Sequence, residues 1–332
     1  MRTDKNFLTA FTAIGLCLAT SLAAAAAEPA AGDTAATIQQ ALPYLENEGV
    51  AWMEKRGCVS CHQVPFMLWS LSAAKQAGFD VDPVKLARWR NWSTDVVNFV
   101  KPAQKQDLDR DQTMAGNIDT MSALLLAVDD DAKSDWRVSF AAGLANNQKD
   151  KGSWKPCGQL PAQKRPTEET AGVTTAWTLL ALTSQGFTEF DAEAALREVD
   201  AVDAAKSTEW WSVRLLLADR LGEDRLPALR QALLGRQNDD GGWGWISGEA
   251  SDALATGMAI YALSVTSGDD AGDVRAALAK ATTLLLTTQQ QDGSWAVPGT
   301  KKNTRQKNTP TASYWGTAWA VIGLLELAAD RS

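Results

Sequence analysis

Apolar and polar positions follow two different helical patterns along this chain. Stretches such as Leu226 to Leu234 and Ala276 to Leu286 mix apolar with charged residues, the pattern of a helix with one face in solvent. Other stretches are apolar or small nearly all round: Thr174 to Leu182 (TTAWTLLAL), Ala255 to Leu263 (ATGMAIYAL) and Gly316 to Leu324 (GTAWAVIGL). A helix without a polar face has to be buried on every side. The second kind follows the first in regular alternation. The chain therefore reads as pairs, each an outer half-solvated helix followed by an inner buried one. Six pairs fit, with approximate spans 37–80, 83–130, 133–186, 189–222, 224–267 and 270–330. The first inner helix opens at Pro65-Phe66-Met67-Leu68-Trp69, and the fourth contains Trp210 to Leu217.

In three pairs the turn between outer and inner helix carries Gln-x-x-x-Gly-x-Trp: Gln148 to Trp154, Gln237 to Trp243 and Gln289 to Trp295. An internal repeat of this kind marks stacked supersecondary units. It also accounts for much of an unusual aromatic balance, 14 Trp against 3 Tyr. Six pairs can close into a ring with the inner helices parallel around a central cavity, which removes the exposed ends that an open solenoid must cap. The predicted fold is all-α, a single (α/α)6 toroid of six helical hairpins over residues 28–332.

These repeats resemble the QW motifs of squalene-hopene cyclases and related terpenoid cyclases. Those enzymes, like protein prenyltransferase β subunits, have (α/α)6 toroid domains. The resemblance covers most of the chain after residue 27 and is specific for fold. It implies that Gln148, Gln237 and Gln289 satisfy free backbone groups at helix ends, with Trp154, Trp243 and Trp295 stacked nearby. The family's catalytic residues do not carry over. Its cyclases protonate an alkene with an Asp-x-Asp-Asp acid, which this sequence lacks. Asp129-Asp130-Asp131 comes nearest, but it lies at the end of an inner helix before Lys133 and Asp135 and reads as a solvated turn. The prenyltransferase zinc site needs Asp, Cys and His, and the lone histidine here belongs to another motif. Triterpene cyclases also use two such domains where this chain has length for one.

That other motif is Cys58-Val59-Ser60-Cys61-His62, and His62 is the only histidine in the sequence. Cys-x-x-Cys-His is the attachment signature of c-type haem. Cys58 and Cys61 would form thioether links to one covalent haem c, and His62 would be the proximal iron ligand. A disulfide between the two cysteines, a dithiol redox pair and a zinc site are the competing readings. The dithiol wants a βαβ pattern that is not found, and zinc lacks an obvious fourth ligand.

The N-terminus agrees with haem. Residues 1–27 read as a signal peptide: Arg2 and Lys5, an apolar stretch from Phe7 to Leu22, then Ala25-Ala26-Ala27 as a cleavage site. Export predicts a periplasmic protein, where covalent haem attachment takes place, with no stable membrane span after processing. The net charge of −8 disfavours nucleic acid and anionic lipid as partners. Cys157 is left as an odd thiol with no role assigned.

With histidine unavailable, Met114 is the first candidate for the sixth iron ligand, because it precedes the second inner helix. Met121 and Met258 are weaker candidates, being inside helices. His62 precedes the first inner helix, so the haem is expected at the mouth where the inner helices begin. The long connections Lys155–Gly172, Ser247–Asp252 and Val297–Ser313 should gather there as a lid or binding surface. In the last of them, Lys301 to Lys307 is basic and could meet haem propionates or an acidic partner. Trp177, Tyr261, Trp315 and Trp319 are expected to face the cavity. The expected function is redox: electron transfer with a partner protein. The alternative is an enzyme or binder of an isoprenoid-like apolar ligand in the cavity, with haem as redox centre or sensor. A third possibility is a structural or partner-binding toroid in which haem only staples the fold.

Overall fold

The computed structural model describes residues 31–59, 63–127, 134–158, 160–266 and 272–329. The expected signal peptide, Cys61, His62 and the Asp129–Asp131 run lie outside the described residues. The fold is an all-helical (α/α)6 toroid. Its six hairpins are α1 (Ala31–Arg56) with α2 (Val64–Gln76), α3 (Pro83–Ser93) with α5 (Ile118–Ala127), α6 (Asp135–Asn146) with α7 (Thr167–Ser184), α8 (Ala192–Asp200) with α9 (Thr208–Leu221), α10 (Leu226–Leu234) with α11 (Ala253–Thr266), and α12 (Gly272–Thr288) with α13 (Pro310–Ala329). The inner helices form a closed cycle of neighbours, α2–α5–α7–α9–α11–α13 and back to α2. Among the described residues there is no β-strand beyond three isolated bridges.

Local chemistry explains where these helices start. Asp82, Asp191 and Ser207 each accept a backbone N–H from the first turn that follows, so α3, α8 and α9 are capped by side chains. The inner helices α7, α11 and α13 are buried on nearly every side. The outer α8 buries only Ala194, Ala195 and Val199. This is the division that the two sequence patterns predict. The tightest inner pair, α11 and α13, meets through glycine. A Cβ on Gly257 would collide with the backbone of Trp319 and Ala320, and one on Gly323 would stand 2.6 Å from the Gly257 carbonyl.

The three Gln-x-x-x-Gly-x-Trp segments build one recurrent turn. Each indole Nε1 donates back to its own outer helix: Trp154 to Leu144 O at 2.7 Å, Trp243 to Leu233 O at 2.9 Å, Trp295 to Leu285 O at 2.9 Å. Each Trp backbone N–H takes a threonine hydroxyl on its own inner helix, Thr175, Thr256 or Thr317. Each Gln amide donates to its own turn glycine and to the next hairpin: Gln148 to Asp191 O, Gln237 to Ala277 O, Gln289 to Thr37 O. The glutamines bind backbone carbonyls, and in doing so they also join one hairpin to the next. Gln289 joins α12 to α1, where the ring closes. The turn glycines Gly152, Gly241 and Gly293 have φ of 104°, 89° and 84° and touch the next outer helix with no room for a side chain.

One region departs from the simple hairpin pattern. Between α3 and α5 the chain makes two 3₁₀ turns, Val96–Phe99 and Pro102–Gln104, then a short α4 (Arg110–Ala115). Side chains of Asp95 and Asp109 cap the first of these turns and α4. Helix α4 packs on α6, on the first 3₁₀ turn and on α5. Among the described residues, no helix is long and apolar enough to cross a membrane.

Candidate functional site

The inner helices all start at one end of the ring, and a small cavity lies there. Asp119 and Glu209 stand in the first turns of α5 and α9, where the helix dipole favours a carboxylate. Phe66, Val173, Trp177, Trp315 and Trp319 supply apolar walls. The cavity measures about 50 Å³, room for a few waters, whereas a pocket for a drug-sized ligand is roughly 300–1,000 Å³. The centre of the ring is filled by Trp319. Its ring lies 5.4 Å from Phe66, 5.3 Å from Trp69, 5.9 Å from Trp177 and 5.7 Å from Tyr261 between centroids. Of the four aromatic residues expected to face the cavity, Trp177, Trp315 and Trp319 line it, and Trp177 and Tyr261 also pack on Trp319.

Two buried carboxylates at this cavity have different partners. Asp119 accepts from Thr174 Oγ1 at 2.7 Å and from the Cys157 backbone N–H at 3.0 Å. Burial pushes its carboxyl up to about 6 against the pull of those two hydrogen bonds. Glu209 takes the buried Arg165 guanidinium at 2.6 Å and the Trp177 indole N–H at 3.2 Å. Sequence reading missed all three of these polar residues. The available signal was a carboxylate in the first turn of an otherwise apolar inner helix, as in Ile118-Asp119-Thr120-Met121.

The expected lid forms over this end. Glu249, from the α10–α11 connection, takes Lys164 at 2.5 Å and the Arg305 Nε at 2.8 Å, so one carboxylate joins all three long loops. Burial pushes the Glu249 carboxyl up, but those two cations pull it further down, to below its ordinary value. Backbone bonds from Lys164 N to Thr300 O and from Lys302 N to Ala162 O sew the same loops together. Arg305, in the basic segment expected to meet haem propionates, is committed to Glu249 and lies 3.9 Å from Asp252.

Of the sequence-predicted site, Cys58 and Met114 are described. Cys58 is half-buried in the α1–α2 connection, and Trp52 Nε1 donates to its carbonyl at 3.0 Å. It is not in a disulfide with any described residue. Burial pushes the Cys58 thiol up, against the opposing pull of the nearby cations Lys101, Arg56 and Lys105, and the neighbouring Gln63 Oε1 is buried without a hydrogen-bond partner. A half-accessible thiol with cations beside it fits an acidic prosthetic group attached at this connection, whereas Gln63 Oε1 is an acceptor and wants a donor that a carboxylate does not supply. Met114 sits on α4, with its thioether sulfur 2.9 Å from the point where a Cβ on Gly143 would be. It packs between α4 and α6. Met121 and Met258 are buried inside α5 and α11. Cys157 is half-buried and donates its thiol to Ala115 O at 3.5 Å. Among the described residues, no group of three or more His, Cys, Asp or Glu is placed to hold a metal ion.

No protein-family model and no curated protein matches this chain. Solved structures do. One is a type II terpene cyclase from Scytonema in complex with its substrate, geranylgeranyl dihydroxybenzoate. It is 14% identical, with 90% of this chain and 98% of that chain covered and a TM-score of 0.52. A possible member of the GH105 family from Salmonella enterica serovar Paratyphi A is 15% identical over 92% of this chain and 96% of that one, with a TM-score of 0.57. An unsaturated glucuronyl hydrolase from Bacillus sp. GL1 is 12% identical over 89% and 96%, with a TM-score of 0.54. At such identities the likeness is one of fold. The chain has the (α/α)6 toroid fold, which serves a terpene cyclase and a glucuronyl hydrolase alike.

Proposed function

We propose that this chain is an exported, monohaem c-type redox protein built on a cyclase-like toroid. In this reading residues 1–27 direct export to the periplasm, Cys58 and Cys61 carry haem c, and His62 is the proximal iron ligand. The observation that carries it is the Cys-x-x-Cys-His spacing around the sole histidine, set in a connection that leaves Cys58 half accessible among cations. Haem bound there supplies one-electron iron chemistry. The chain's own part is to hold the attachment loop still. Trp52 and Asn98 bind the backbone of Cys58 and Val59, with Trp52 Nε1 donating to Cys58 O and Val59 N donating to Asn98 O at 2.6 Å. The filled centre of the ring favours a carrier of electrons over an enzyme that encloses a large substrate. The electron then passes at the rim to a partner protein.

Periplasmic expression with the haem-attachment machinery tests this. The expected product has the mass of one haem that survives denaturation, and its loss when Cys58 and Cys61 are both changed to Ala. Colourless wild-type protein with free thiols overturns the reading. Met114 as sixth ligand requires its thioether to leave Gly143. In Met114→Leu, loss of a methionine-to-iron absorption band supports ligation, and an unchanged spectrum assigns this methionine to packing.

One observation favours a second reading. Asp119, a buried acid held up to about 6, faces an aromatic cavity, as an apolar-ligand binder or cyclase-like enzyme would require. That function needs Trp319 and its neighbours to move aside. Lipid that co-purifies with wild type and is lost in Asp119→Asn would support it.

A further inference from the structure

The walls of the cavity at the mouth of the ring are acidic and aromatic. Asp119 and Glu209 line it together with the rings of Phe66, Trp177, Trp315 and Trp319. Among the described residues that line it, none is a lysine or an arginine. Glu209 has its counter-charge in the buried Arg165 at 2.6 Å. Asp119 is held by two uncharged donors, the Thr174 hydroxyl on one oxygen and the Cys157 N–H on the other. Each oxygen therefore keeps a free lone pair. The start of a helix explains why a carboxylate stands there, but it supplies no donor for those lone pairs. The rings meet at 67° for Phe66 with Trp315, 51° for Phe66 with Trp319 and 35° for Trp177 with Trp319. None of these pairs is a parallel stack, so the rings wall the space from several sides. Aromatic walls beside an ionised carboxylate attract an organic cation. The same cavity holds a second unmet group. Trp319 is 1 % exposed, and among the described residues its indole N–H has no hydrogen-bond partner. A buried donor of that kind calls for an acceptor.

We propose that this cavity binds a short amino alcohol of the size of ethanolamine, with its ammonium at Asp119 and its hydroxyl oxygen on the Trp319 indole N–H. Three observations select that class. The room of a few waters suits about four heavy atoms and not an isoprenoid. The ammonium brings three donors to an acid whose present partners are uncharged, and the surrounding rings add cation–π attraction. The hydroxyl oxygen is the acceptor that Trp319 lacks. Such a ligand needs neither haem at Cys58 nor any movement of the central rings, so the site goes beyond both readings above.

Titration calorimetry on the purified protein with three probes of equal length tests this. Ethanolamine carries both groups, 1-propanol lacks the charge, and n-propylamine lacks the oxygen. A ligand of about four heavy atoms binds no tighter than roughly 40 μM, so the titrations run into the millimolar range. The expected result is saturable binding of ethanolamine, with each of the other two weaker by roughly tenfold or more. Burial and the Glu209 charge push Asp119 up to about 6, against its two hydrogen bonds and Arg165. The Cys157 thiol beside it is pushed up from its ordinary value and stays protonated near neutral pH. A cation binds the ionised acid, so ethanolamine affinity should rise from about pH 5 to about pH 7. In Asp119→Asn that rise and the preference over 1-propanol should both vanish. Phe66→Leu should weaken ethanolamine and leave 1-propanol near its wild-type value, and it decides the matter if Asp119→Asn does not fold. No binding of ethanolamine by folded wild type overturns the proposal. Equal binding of ethanolamine and 1-propanol overturns it in favour of the apolar-ligand reading. Equal binding of ethanolamine and n-propylamine removes the Trp319 contact and overturns the assigned class.

Discussion

Gly293 shows how narrow the tolerance of this ring is at single positions. Its φ of 84° is left-handed, and a Cβ there would strike the Gln40 carbonyl of α1. Gly293→Ala combines backbone strain with a steric clash at the point where α12 meets α1, and should destabilise the protein by several kcal/mol, on the order of 3–5. Thermal or urea unfolding would measure it. Buried acids set a second residue-scale property. Burial pushes Asp119 and Asp252 up to about 6 from an ordinary value near 3.8. A carboxyl that holds its proton more tightly when folded favours the folded state below its unfolded value. That advantage is lost as pH rises through the folded one. Stability should therefore fall between about pH 4 and pH 6, and Asp119→Asn should flatten part of that slope. Unfolding curves at half-unit pH intervals for both proteins would show it.

The repeated turn is the element that the ring depends on. Gln289 spans from its own Gly293 carbonyl to Thr37 O of the first hairpin, bonds of 3.0 and 2.9 Å. Gln289→Ala leaves those acceptors without their donor, a loss of roughly 1–3 kcal/mol, and hydrogen exchange should rise first in α1 and α12. The lid loops form a second such element. Glu249→Gln keeps the shape of the side chain but removes the charge that Lys164 and Arg305 both bind. Limited proteolysis should then cut faster within 155–166 and 297–309, and added salt should narrow the difference between variant and wild type. The connection between α3 and α5 was not legible in the sequence. Its turns depend on Asp95, Asp109 and Pro102 acting as local punctuation, and α4 is too short to give a period of its own.

At the scale of the whole molecule, the toroid is a closed cycle in which every inner helix has two inner neighbours. Filling its hole with Trp319 and the rings around it makes the centre part of the core. Trp319→Ala should cost about 3–5 kcal/mol and open a cavity where the rings now meet. If that variant binds an apolar dye and wild type does not, the filled ring is a property of side chains and not of the fold.

By itself the sequence determined the helical hairpins, their order and their inward faces. Thr174–Leu182, Ala255–Leu263 and Gly316–Leu324 have no polar side, and the cost of leaving them in water dictates a buried ring. The Cys-x-x-Cys-His run is likewise a local pattern, readable without coordinates. Tertiary structure alone decided that the Gln of each repeat reaches the next hairpin. It alone placed Asp119 and Glu209, from helices α5 and α9, at one cavity, and gave Arg305 to Glu249. Those facts depend on residues distant in the chain and meeting only when the ring closes, where side-chain volume decides what space remains.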